Sequence, residues 1–205
     1  VWRFIVLIFI FKISDISAQD DNILWASARI QTSFDENWSG AFRPIVRYDQ
    51  DISNYTDFST DFSLKYKMDD RWAVQFLDRH WFVQDATDRH FLWVEVQRAD
   101  KWSDRWSTSS HLRLHYAMDI RDRVDPDFIR WDTKIKYSFK KVTPFIGQET
   151  FYRIDELGLN RIRWQLGVSY PITSDIKMIN TFWLEDFSND SPDFFIWGFI
   201  LQYTL

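Results

Sequence analysis

The chain ends on FFIWGFILQYTL, residues 194–205. Successive side chains of an extended chain point to opposite faces. Phe195, Trp197, Phe199, Leu201, Tyr203 and Leu205 therefore share one apolar, aromatic-rich face, with Phe194, Ile196, Gly198, Ile200, Gln202 and Thr204 on the other. Strands of soluble proteins usually run to roughly five or six residues. This stretch is about twice as long and matches a tilted strand that crosses a bilayer, about nine to eleven residues. With a free edge, so long and apolar a strand would pair with other chains, so it must close against a neighbour. The favoured reading is a membrane barrel sealed by this strand. The alternative is the last strand of a soluble sandwich or lipocalin-like barrel.

Composition agrees. The 205 residues have a mean hydropathy of −0.37, and beyond the N-terminus no window of about eighteen apolar residues exists, which excludes a bundle of membrane helices. Yet 19% of residues are aromatic, including 12 Trp and 19 Phe. A polar mean with abundant aromatics is what strands with one lipid face and one lumen face produce, with Trp and Tyr girdles at the interfaces. There is no Cys, hence no disulfide framework and no thiolate ligand or nucleophile. The net charge of −5 argues against a nucleic-acid partner, which needs a basic face.

Residues 1–18 read as a secretory signal: Arg3, the apolar run Phe4–Phe11, and Ile16-Ser17-Ala18 before Gln19. An N-terminal anchor is the alternative, but the run is too short to span. Gln19 in place of Cys argues against lipoprotein processing. The expected organisation is a signal peptide over 1–18 and a barrel over 19–205, exported to the outer membrane of a Gram-negative bacterium.

From Asn22 onward, long alternating stretches are separated by polar breaks. Phe58, Thr60, Phe62, Leu64 and Tyr66 alternate with Asp57, Ser59, Asp61, Ser63 and Lys65; Leu112, Leu114 and Tyr116 alternate with His111, Arg113 and His115. The breaks read as short periplasmic turns alternating with longer extracellular loops. Pro44 suggests a bulge or a locally open edge, and the alternation is muddled around Leu77–Asp78, where a bulge is expected. About eleven stretches qualify, whereas bacterial single-chain barrels have even strand numbers. If the last strand ends in the periplasm, Leu24–Phe34 would have to start outside the cell, against the direction of export. The expectation is an all-β antiparallel transmembrane barrel of ten strands, or twelve, with the place of residues 22–34 open.

Several marks resemble the uncharacterised outer-membrane barrel proteins grouped as domain of unknown function 2490. They are Trp25, the strand end Arg47-Tyr48-Asp49, Pro144 leading to Glu149, and Asn160-Arg161 opening a strand that carries Gly167 and ends at Tyr170. The resemblance covers most of the chain and implies an outer-membrane β-barrel with no established activity. It also implies a C-terminal signal for the barrel-assembly machinery, here Phe199, Leu201, Tyr203 and Leu205. Such signals usually end on Phe or Trp, and this chain ends on Tyr203-Thr204-Leu205.

The inward face is expected to carry Arg43, Arg47, Asp61, Lys65, Glu95, Arg113, Arg130, Asp132, Lys134, Lys136, Glu149, Arg161 and Arg163. In a small barrel these groups must pair or line a wet channel. The first reading is a charge-networked, narrow or plugged lumen. The second is a passive pore for small polar or ionic solutes, in which Arg161 and Arg163, two apart on one strand, would clamp a carboxylate or phosphate. A lipid-modifying enzyme is the third. Adjacent Ser110 and His111 face opposite sides and cannot pair locally, whereas Ser109 shares a face with His111, and no lipase or acyltransferase motif occurs. His80 and His90 flank a loop and read as surface or interface groups. No metal or cofactor is expected. The expected partners are outer-membrane lipid, the assembly machinery and a small polar solute, with a monomer as the default.

Overall fold

The computed structural model describes residues 22–49, 54–83, 88–118, 127–187 and 194–205; the expected signal peptide lies outside them. Eleven strands follow one another: β1 (Asn22–Ser33), β2 (Trp38–Asp49), β3 (Asn54–Lys67), β4 (Trp72–Val83), β5 (Arg89–Lys101), β6 (Trp106–Ala117), β7 (Phe128–Tyr137), β8 (Thr143–Arg153), β9 (Gly158–Pro171), β10 (Ile176–Phe187) and β11 (Phe194–Thr204). Each pairs antiparallel with its sequence neighbour, and β1 closes on β11, giving one barrel. The closing seam is parallel, with Leu24 beside Trp197 and Ala28 beside Leu201.

This corrects the expected ten strands. Residues 22–33 are a wall strand paired on both sides. An even count follows when both chain ends leave a barrel at the same rim. Here β1 starts at the rim opposite to the one where β11 ends, so an odd count closes through a parallel pair. The direction of export constrains how a strand arrives, not which neighbour it meets once the sheet closes.

Short turns share one rim with the C-terminus, and three of them are built alike. Asp35 Oδ1 accepts the N–H groups of Asn37 and Trp38, both at 2.7 Å. Asp69 Oδ1 accepts those of Arg71 and Trp72, both at 2.7 Å, which holds its carboxyl below the usual range. Ser103 Oγ accepts those of Arg105 and Trp106. A side-chain oxygen replaces a backbone acceptor in each, as short polar residues do in turns. Thr173 Oγ1 serves Asp175 and Ile176 similarly. In the remaining turn Lys140 takes φ 51°, the left-handed geometry of tight hairpins.

At the other rim the expected longer loops are only partly found. The β6–β7 connection is long, but Ile154–Leu157 joins β8 to β9 in as few residues as a turn. Of two expected irregularities, the locally open edge at Pro44 is present and the bulge at Leu77–Asp78 is not. Pro44 stays in register with Thr60, and the bulge lies at Arg47/Tyr48. On its other side, pairing to β1 passes from Ser27–Ile45 to Ile30–Phe42 with no pair between, so the ladder is open where Pro44 has no N–H. β4 holds an unbroken register to both neighbours, with no bulge at Leu77–Asp78.

Side chains sort by face. Phe62, Phe76, Leu92, Val94, Leu112, Leu114, Trp131, Trp164 and Trp197 are exposed on the outside. Arg47, Asp57, Asp61, Glu95, Asp132, Glu149, Arg163 and Glu185 are buried in the lumen. Charged residues concentrate in the interior beside a few aromatic and aliphatic side chains, and large apolar residues dominate the outer surface, the reverse of the charge distribution of a water-soluble domain.

Candidate functional site

Strand parity brings all thirteen expected charged residues to the lumen, and register then decides their partners. Asp61 on β3 lies between two arginines: Arg43 on β2 donates from Nη2 at 2.5 Å, and Arg79 on β4 donates from Nε at 2.5 Å and Nη2 at 2.8 Å. Arg47 pairs with Asp57 at 3.2 Å. Glu95 accepts from Arg113 Nε at 2.6 Å and Gln97 at 2.6 Å, and lies 3.0 Å from His111 Nδ1. Glu149 on β8 accepts from Arg130 on β7 and from Arg163 on β9. Arg163 continues to Glu185 on β10, which Arg161 approaches to 3.5 Å. Asp132 holds Lys134 at 2.8 Å and Gln165 at 3.0 Å. Each of these six buried carboxylates has a cationic partner, as buried charge requires.

Aromatic rings fill the spaces between the ion pairs. Arg79 and Arg113 lie over the Trp93 ring at 4.4 and 4.7 Å. Arg161 and Arg130 lie over Phe151 at 4.1 and 4.3 Å. Arg47 stacks on Trp81 at 4.0 Å and Trp25 at 4.7 Å. Phe151 is 0% exposed and Trp93 5%. A guanidinium is weakly hydrated and stacks readily, so it suits such a layer better than lysine. Gly198 makes room on the wall: a Cβ there would sit 2.0 Å from the Trp183 ring, which in turn lies 5.5 Å from Trp25. Together these residues form an arginine–carboxylate–aromatic layer across the loop-end half of the lumen, around a cavity of about 540 Å³.

The turn-end half is different. A second cavity of about 520 Å³ is lined by Arg29, Lys65, Lys136, Gln75 and His111 and, at its rim, by Asp35, Glu36, Asp69 and Asp70. Among the described residues Arg29, Lys65, Lys136 and Lys177 take no part in the lumen ion pairs, and all four lie near the turn end of their strands. Arg29 Nε is buried without a hydrogen-bond partner. The loop-end half of the lumen is thus ion-paired around its cavity, and the turn-end half holds cations that take no part in those pairs, beside a rim that carries acidic side chains.

Arg161 and Arg163 do point the same way, but both are directed to Glu185, so they are not the free anion clamp that their spacing suggested. The sequence reading missed Asp57, Arg79 and Glu185 as network members. Arg79 was hidden because β4 carries Asp78 and His80 outward with Leu77 and Trp81 inward, which inverts the usual contrast between faces. Ser109 and His111 share the lumen, but His111 is directed to Glu95. On the outside His80 and His90 form a cross-strand pair.

The model of the family described as "Protein of unknown function (DUF2490)" matches residues 22–193, and the chain belongs to that family. No curated protein matches the chain. A solved structure described as "KdgM porin" aligns with 80% of this chain and 84% of that chain at 15% identity and a TM-score of 0.48.

Proposed function

We propose that this protein is an outer-membrane β-barrel whose lumen is closed across its loop-end half by the arginine–carboxylate–aromatic layer, with the turn rim facing the periplasm. The observation that carries the closure is Phe151, fully buried on the lumen side of β8 near its loop end, beneath Arg130 and Arg161. The membrane placement is supported by the outer face. Trp38, Tyr66, Trp72, Trp106 and Tyr137 form an aromatic girdle near the turn rim, with Trp38–Tyr66 and Trp106–Tyr137 in contact. Tyr48 and Tyr116 stand ten residues further along β2 and β6. At ~3.3 Å per residue and a tilt near 40° this is about 25 Å of height, the apolar band of a membrane barrel.

The test uses chain refolded into vesicles whose acyl chains carry bromine. Quenching should reach the outward Trp131, Trp164 and Trp197 and spare Trp25 and Trp93. Uniform quenching, or none, would overturn the placement.

A second reading, a passive pore, is favoured by the unpaired basic residues of the turn-end cavity. It narrows the solute to a small anion, since lumen cations without partners favour negative charge. Efflux of chloride from loaded vesicles bearing the folded chain tests it; retention would sink it.

A further inference from the structure

We infer that Asp78, His80 and His90 form a divalent transition-metal site on the outer wall, separate from the lumen. Asp78 and His80 are two apart on β4 and share a face, while His90 on β5 lies directly across from His80. The two imidazoles stack with centroids 4.2 Å apart. Each directs Nε2 at a different oxygen of the same carboxylate: His90 to Oδ1 at 2.5 Å and His80 to Oδ2 at 3.5 Å. The ligand atoms of the three residues all lie within 4.8 Å of one another.

Zinc binds nitrogen at about 2.0–2.1 Å and carboxylate oxygen at about 2.0–2.2 Å in a tetrahedron, so its ligand atoms stand roughly 3.3 Å apart. To meet that spacing His90 and Asp78 must open from 2.5 Å, and the two stacked rings, 17° from parallel, must turn about their side-chain bonds so that both nitrogens converge on one ion. Two imidazoles and one carboxylate are a zinc donor set that leaves a fourth position for water. The same nitrogen-rich set takes nickel and copper in the usual affinity order.

A second observation points the same way. Asp78 lies between Phe62 and Leu92, and Phe82 stacks on Phe58 beyond His80. Three ionisable side chains therefore interrupt an apolar face, where such groups are costly without a partner that neutralises them. Among the described residues they pair with one another and not with an arginine or lysine. A bound cation is the partner that a carboxylate and two imidazoles share. It would tie β4 to β5 near the loop rim.

The test is zinc titration of the untagged chain refolded in detergent micelles, read by competition with a chromogenic chelator. One zinc ion per chain is expected. H80A and H90A should each weaken it at least tenfold, and zinc should raise the thermal midpoint of the wild-type barrel but not of the variants. D78N, which keeps size and shape, gives the same readout should a histidine variant fail to refold. Absence of zinc binding by the folded wild type, or equal affinity in H80A/H90A, which retains only the lumen histidines, would overturn the site.

Discussion

Arg163 on β9 donates to Glu149 on β8 at 3.0 Å and turns its other nitrogens to Glu185 on β10. One guanidinium thus joins three consecutive strands inside the barrel, with all three side chains at most 7% exposed. Removing it takes one cation from each of two buried carboxylates and leaves Glu149 to Arg130 and Glu185 to Arg161; breaking an isolated buried pair costs about 3–5 kcal/mol, which is the upper bound here. Arg163→Met should lower unfolding stability by up to that amount, read by urea unfolding of the vesicle-embedded barrel. An unchanged midpoint would mean the pairs contribute nothing.

The parallel seam has its own test. Ala28 and Leu201 are partners on the outer face, and the chain has no cysteine. A28C/L201C should form a disulfide on mild oxidation, since paired strands meet the Cα separation that the bond requires. V94C/L114C, on the antiparallel β5–β6 ladder, is the positive control. Crosslinking of the control alone would remove β1 from the wall.

Gly198 is required by its neighbour, not by its backbone, because the Trp183 ring lies flat where a side chain would be. Gly198→Ala should displace that ring and loosen its contact with Trp25. Overpacking of this kind costs about 1–3 kcal/mol. The thermal midpoint in micelles should fall, and Gly198→Val should lower it further.

The unpaired turn-end cations predict selectivity once the lumen is opened. In a W93A/F151A background, which removes the buried rings, the reversal potential in a salt gradient should report anion preference. Adding K65Q, K136Q and K177Q should move it toward neutrality. A cation-selective opened barrel would contradict the reading of the turn-end cavity.

Much of this molecule is legible in its sequence, and the exceptions have physical causes. On β6 an uninterrupted period of two separates Leu112, Leu114 and Tyr116 from His111, Arg113 and His115, and the structure keeps that division. The charged residues assigned to the lumen all face it because parity alone decides this. Their partners were not legible. Arg43 meets Asp61 directly across the β2–β3 ladder, but Arg161 passes over its own cross-strand neighbour Phe187 to reach Glu185. Such diagonal contacts depend on rotamers. β4 misled because the outward Asp78 and His80 are polar where the face should be apolar, and a polar break on a strand reads locally as a bulge. β1 misled for another reason: its pattern was sound, but an argument from export direction displaced it from the wall.

The most direct test of a closed lumen is the single-channel conductance of the refolded wild-type barrel in a planar bilayer, beside W93A/F151A. The wild type, shown to be folded, should give no steady steps, and the variant, lacking the rings beneath Arg79, Arg113, Arg130 and Arg161, should give them. Steady current from the wild type would show an open water path past Trp93 and Phe151, and the layer would then be the lining of a pore.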